Sequence, residues 1–164
     1  MHLFLDIDGV LNGHEYDEAS ESCHIRPECV NALNLVLDLL APQIVLSSAW
    51  RYMVLNEAMS LKGFEYLLRS HRVHCKGLLV DTTWFDGDYD LDDLDDEKAG
   101  CAERARLITS WTAYKRWHPA HYVAVDDLPL PLPETSFVQT DAKSGLTVDK
   151  AEELIRKLRH GVCP

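Results

Sequence analysis

The chain has 164 residues, 46% of them apolar and 26% charged, with a formal net charge of −11. That length gives room for one ordinary domain with a real core, here taken as residues 1–164. The acidic balance argues against a broad nucleic-acid-binding surface, because phosphate backbones are held by Lys and Arg, but it leaves room for a local basic pocket around one phosphate end.

Residues 3–8 read as a first strand, in which apolar Leu3-Phe4-Leu5 runs into Asp6-Ile7-Asp8-Gly9. Asp6 interrupts this run too early for a secretory signal, and Asp38 interrupts the longest later one, so no membrane span is expected and a cytoplasmic protein follows. Residues 12–26 are polar and read as a loop or small flap. Pro27 suits the first turn of a helix, which Val30, Leu33, Leu37 and Leu40 continue to Ala41-Pro42. Residues 43–46 form a second strand ending at Ser47-Ser48. Residues 55–69 predict a helix with Leu55, Ala58, Met59, Leu61 and Leu67 on its apolar side.

Residues 73–80 are weakly strand-like, and 86–97 form an acidic loop. Helical spacing returns over 99–117 through Ala102, Leu107, Ile108 and Trp111, closing before Pro119. Residues 121–125 form a third strong strand, ending at Asp126-Asp127. The Leu-Pro alternation over 128–133 permits no helix. Residues 136–138 suit a short last strand, and Thr147 can cap a helix reaching about residue 159, with Gly161 just past it. Strands alternating with helices imply an α/β sandwich with a mainly parallel sheet. There is no internal repeat and no linker.

In open parallel sheets ligands bind beyond the carboxyl ends of the strands. Asp6, Asp8, Ser47, Ser48, Asp126 and Asp127 are therefore expected at one edge, a set of oxygens suited to a divalent metal and a phosphate. Asp6 and Asp8, two apart at a strand end, are expected on one face. One can attack phosphorus and form an aspartyl-phosphate, while the other hands a proton to the leaving oxygen and later activates water. Neighbouring carboxylates repel and want a cation, for which hard, oxygen-seeking Mg²⁺ is the natural choice.

Phe-Leu-Asp-Ile-Asp-Gly-Val-Leu-Asn at 4–12 closely resembles the first motif of haloacid dehalogenase-like (HAD) hydrolases. Ile44-Val45-Leu46-Ser47 resembles the second motif, and Val123-Ala124-Val125-Asp126-Asp127 the fourth. The resemblance spans nearly the whole chain. It implies a Rossmann-like three-layer α/β/α fold with little or no cap. It also implies Asp6 as nucleophile, Asp8 as general acid/base, and Ser47, with Ser48 beside it, on the transferring phosphoryl group. Mg²⁺ would be held by Asp6, the backbone carbonyl of Asp8, and Asp126 or Asp127. Ser48-Ala49-Trp50-Arg51, Ile108-Thr109-Ser110-Trp111, and Thr140-Asp141 followed by Gly145-Leu146-Thr147 are similar to the HAD domains of Swiss Army knife RNA-repair proteins. The family's third motif is a cation. Arg104, in the arrangement Arg-x-x-x-Ile-x-x-Trp, is preferred, with Lys98 at the helix start as the alternative. Arg51 is a further candidate for the substrate phosphate through its planar fork.

Other patterns carry less. Acids at 86, 88, 90 and 92 with Glu97 echo a calcium loop, but Leu91 stands where the turn glycine belongs, so a solvated loop is expected. Five cysteines without a Cys-x-x-Cys pair suggest neither a disulfide framework nor structural zinc, and neither His71, His74 and Cys75 nor Cys23 and His24 complete a zinc set. Trp50, Trp84, Trp111 and Trp117 read mostly as core, although Trp84 in a loop can stack a base. The expected function is Mg²⁺-dependent hydrolysis of a phosphomonoester through an aspartyl-phosphate, on a nucleotide or nucleic-acid end. The alternatives are a small-metabolite phosphatase, a non-catalytic phosphate-binding domain, and one module of a larger repair assembly.

Overall fold

The computed structural model describes residues 1–13, 24–84, 97–114 and 122–160, with residues 97–99 described as backbone. Strands β1 (His2–Leu5), β2 (Gln43–Leu46), β3 (Leu79–Thr82), β4 (Tyr122–Asp126) and β5 (Phe137–Gln139) form one sheet in the order β3-β2-β1-β4-β5. Every pairing is parallel. Helices α1 (Pro27–Leu40), α2 (Arg51–Leu55), α3 (Leu61–Ser70), α4 (Glu97–Tyr114) and α5 (Val148–His160) connect and cover it.

Side-chain alternation along the strands splits the core in two. Leu3 and Leu5 of β1, Ile44 and Leu46 of β2, and Val123 and Val125 of β4 pack with α1, α3 and α5. Phe4, Val45 and Ala124 point the other way, into a second cluster with Cys101, Ala105, Ile108 and Trp111 of α4. A buried sheet with helices on both faces is the three-layer Rossmann-like sandwich. Among the described residues no helix is long and apolar enough to cross a membrane.

Register does the positioning. Leu5 pairs with Leu46 on one side and Val125 on the other, so Asp6, Ser47 and Asp126 follow in one row at the carboxyl edge. Helix α1 starts at Pro27, whose missing N–H is no loss in a first turn. It stops at Ala41, which adopts φ 44° and donates its N–H to the Leu37 carbonyl.

Several predicted boundaries move. The first strand ends at Leu5 rather than residue 8, because the amides of Val10, Leu11 and Asn12 all turn back to the Ile7 carbonyl. Asp8 therefore sits in a turn, and strand alternation does not place it. The helix predicted over 55–69 starts only at Leu61 as α3, and Leu55 is the last residue of a separate helix, α2. Glu57 at φ 58° breaks them, and Ser60 recaps α3 by accepting from the Gly63 amide. Phe64 and Leu68 are the buried residues of α3, while Ala58 is exposed. The strand predicted over 73–80 starts only at Leu79, after a turn at Gly77 (φ 73°). In α4, Ala102 faces solvent and Cys101 takes its place in the core. The polar segment 14–23, the acidic residues 86–96 and Trp117 lie outside the described residues.

Candidate active site

The carboxyl edge of β1 and β4 holds a compact group of charges. Arg104, on α4, donates from Nη1 to Asp6 Oδ2 and to Asp126 Oδ2, both at 2.8 Å. Asp6 is 2% exposed and Asp126 1%, so this is an almost dry ion triad. Asp127 stands beside it, and carboxylate oxygens of Asp6, Asp126 and Asp127 all lie within 4.8 Å of one another.

The backbone around the group is packed to that end. Gly9 adopts φ 71°, and a Cβ there would meet the Asp127 carboxylate carbon at 2.4 Å. Thr140 Oγ1 donates to the Gly9 carbonyl at 2.9 Å, and the Leu146 amide to the Val10 carbonyl at 2.8 Å, so the segment after β5 braces the Asp6–Gly9 turn. Asp126 is braced in turn: Oδ1 accepts from the Leu128 amide and its carbonyl accepts from the Thr140 amide, each at 3.0 Å.

Burial dominates the electrostatics. It pushes Asp6 up from 3.8 to about 7, with Arg104 pulling downward and the Asp126 charge adding to the rise. Asp126 is raised for the same leading reason. Burial works against the Arg104 charge, but Asp6 and Asp126 more than offset it and keep the guanidinium protonated. Among the described residues Arg104 is the cation seen on this carboxylate cluster. Asp6 Oδ1 is buried and makes no hydrogen bond. An all-oxygen donor set of this kind fits a hard divalent cation such as Mg²⁺.

The second-motif candidates follow β2. The Ser47 amide donates to the Leu5 carbonyl at 2.9 Å, which pins the residue beside Asp6, and its hydroxyl is buried without a hydrogen bond. The Ser48 hydroxyl is buried, accepts from the Trp50 amide and favours the charged form of Asp6. Arg51 is 1% exposed, its guanidinium donating to the Ser48 carbonyl and lying 4.6 Å over the Tyr52 ring. It braces the turn after β2 and presents no exposed fork. Lys98 falls in the first turn of α4, with its side chain outside the described residues. Among the two third-motif candidates, Arg104 is thus the one seen on the acidic cluster.

Asp8 is held separately. Its carboxylate accepts from Trp50 Nε1 at 3.1 and 2.9 Å and from Asn12 Nδ2 at 2.7 Å. Asn12 in turn accepts from the Gly9 amide at 3.1 Å. The carboxylate of Asp8 stands outside the three-acid group. Trp50, Asn12 and Thr140, which stand within motifs of the sequence but were given no role there, are brought by the fold to this edge. Asn12 lies four residues beyond Asp8, a spacing that offered a clue, whereas Trp50 reads as an ordinary apolar residue until its indole N–H is placed.

His74 and Cys75, which precede β3, stay apart from this edge. His74 pairs with Asp38 at 2.9 Å, while Cys75 is a buried free thiol, as is Cys29. Trp84 is 43% exposed and packs edge-on against Tyr114.

The family model described as the HAD domain in Swiss Army Knife RNA repair proteins matches residues 2–151, from the start of β1 into α5. Comparisons with curated proteins and with solved structures found no match.

Proposed function

The chain belongs to the family of HAD domains in Swiss Army Knife RNA repair proteins, and on that premise we propose that it is a Mg²⁺-dependent phosphatase that hydrolyses a phosphomonoester through an aspartyl-phosphate. The observation that carries this reading is the buried triad in which Arg104 bridges Asp6 and Asp126 with Asp127 alongside.

Asp6, Asp126, Asp127 and the Asp8 carbonyl would hold the Mg²⁺, which neutralises charge between the anionic nucleophile and an anionic phosphate and favours ionised Asp6. Asp6 attacks phosphorus in line, and the oxygen of the departing alcohol takes a proton from Asp8. Arg104 and the Ser47 hydroxyl stabilise charge on the equatorial phosphoryl oxygens. Asp8 then accepts a proton from the water that attacks the aspartyl-phosphate, which releases phosphate and restores Asp6. Trp50 and Asn12 hold the Asp8 carboxylate for both transfers. Residues 1–164 are read as one such domain in a soluble, cytoplasmic protein, with a mouth open enough for a nucleotide or a nucleic-acid end.

Phosphate release with and without Mg²⁺, for wild type and Asp6→Asn, on p-nitrophenyl phosphate, nucleotides and end-phosphorylated oligonucleotides tests this reading. Metal-dependent turnover lost in the variant supports it. Turnover indifferent to Asp6 or to Mg²⁺ would overturn the mechanism, and turnover confined to small metabolites would overturn the substrate class.

A further inference from the structure

A second charged region lies at the opposite edge of the sheet. Four of the chain's 16 lysines and arginines fall within residues 62–76, against one acid, Glu65, in a chain of net charge −11. Glu65 is occupied in accepting from the Gly77 amide at 3.0 Å. A cavity of about 480 Å³ opens where α3 ends, lined by Tyr66, Arg69, Arg72, His74 and Lys76 among others. Arg69, Arg72 and Lys76 are exposed, and none of them has an ion-pair partner among the described residues. Asp38, the acid nearest the lining residue His74, is engaged by it at 2.9 Å. In so acidic a chain, unpaired cations converging on one cavity are unexpected unless an anion visits it.

Arg72 adds a second observation. It adopts φ 68°, a left-handed region that favours glycine and strains a larger residue. A long cationic side chain is therefore carried where the backbone alone would favour none.

Helix α3 leads from the side of the catalytic edge toward the cavity. Helix α3 starts near that edge, where Trp50 packs edge-on against its Phe64, and runs back toward the opposite edge. Lys62, Tyr66 and Arg69 are spaced i, i+4, i+7 and so share one exposed face. Tyr66 is 72% exposed, a free ring between two cations. Arginine forks suit phosphate, and an exposed aromatic suits a stacked base.

We infer that the exposed face of α3 and the basic cavity at its end bind single-stranded nucleic acid, so that a chain whose phosphorylated end lies at Asp6 is held along α3. This rests on the proposed phosphatase reading for the polymer's end, while the binding itself does not require turnover.

The test uses the full chain carrying Asp6→Asn, so that nothing is hydrolysed, and a fluorescently labelled 12-nucleotide single-stranded RNA followed by anisotropy at two salt concentrations. Arg69→Gln/Arg72→Gly/Lys76→Gln on that background should weaken binding at least tenfold and flatten its salt dependence. Arg72→Gly suits the local backbone, so an unchanged melting temperature certifies the fold. Equal affinity with and without the three cations, or no binding at all, overturns the inference. So does equally tight binding of polyglutamate, which would mark an acidic protein segment as the ligand. In the otherwise wild-type chain the triple variant should leave p-nitrophenyl phosphate turnover unchanged and raise KM for end-phosphorylated RNA. RNA binding without any phosphatase activity would sink the catalytic reading alone, and phosphatase activity without RNA binding would sink this inference alone.

Discussion

The indole Nε1 of Trp50 donates to both carboxylate oxygens of Asp8, at 3.1 and 2.9 Å, across 42 residues of sequence. A donor shared between two oxygens fixes the plane of the carboxylate, and proton transfer depends on that plane facing the leaving oxygen.

Replacing Trp50 by Phe keeps the ring against Phe64 and removes only the donor. Turnover of an alkyl phosphate should fall about tenfold or more, since a positioned general acid contributes on the order of 10²–10⁴. The loss on p-nitrophenyl phosphate, whose leaving group needs little protonation, should be clearly smaller. Equal losses on both esters would show that Trp50 supports the fold and not the proton transfer.

Arg104→Met removes the cation between two buried carboxylates. Leaving such charges uncompensated costs about 3 kcal/mol, so the metal-free variant should melt well below wild type. Saturating Mg²⁺ should recover part of that stability while phosphatase turnover stays at least a hundredfold down. A metal-free melting temperature equal to wild type would contradict the triad's role.

Protonation of Asp6 gives a pH signature. Its folded-state value of about 7 lies above the unfolded 3.8, so the folded chain holds that proton more tightly. The charged carboxyl therefore subtracts stability at pH 8, and the loss is relieved as pH falls through about 7 toward 4. Without metal, Asp6→Asn should be more stable than wild type at pH 8, and the gap should shrink toward pH 5. Saturating Mg²⁺ should narrow the gap at pH 8. Scanning fluorimetry that finds a pH-independent difference would refute this account.

Gly9→Ala forces a Cβ into the Asp127 carboxylate and a side chain into a positive-φ residue. The variant should lose roughly 1–2 kcal/mol from the backbone term alone and bind Mg²⁺ more weakly, because Asp127 must move. Calorimetric titration with Mg²⁺ would detect it, and unchanged affinity would show that Asp127 is not a ligand.

Legibility in the sequence followed the range of the forces involved. Buried parallel strands need unbroken apolar runs, so β1, β2 and β4 were plain, and their polar terminal residues Asp6, Ser47, Asp126 and Asp127 stood out as a site. Helices α1, α4 and α5 were legible for the same reason, through period and caps. The break between α2 and α3 was not, because it depends on Glu57 in a positive-φ turn and on Ser60 capping a new helix. Motif spacing favoured Arg104 but left Lys98 open, and it could not foresee that Arg51 turns inward. Those outcomes depend on where α4 crosses the carboxyl edge and how the turn after β2 packs. By itself the sequence determined the order of strands and helices and the residue types at the strand ends, because burial and backbone chemistry act on neighbours. Only the tertiary structure decided that Arg104 joins Asp6 to Asp126, that Trp50 holds Asp8, and that unpaired cations gather at the end of α3. The first two depend on groups far apart in sequence, whose pairing no local pattern encodes, whereas Arg69, Arg72 and Lys76 are neighbours in sequence and the structure adds the cavity they share.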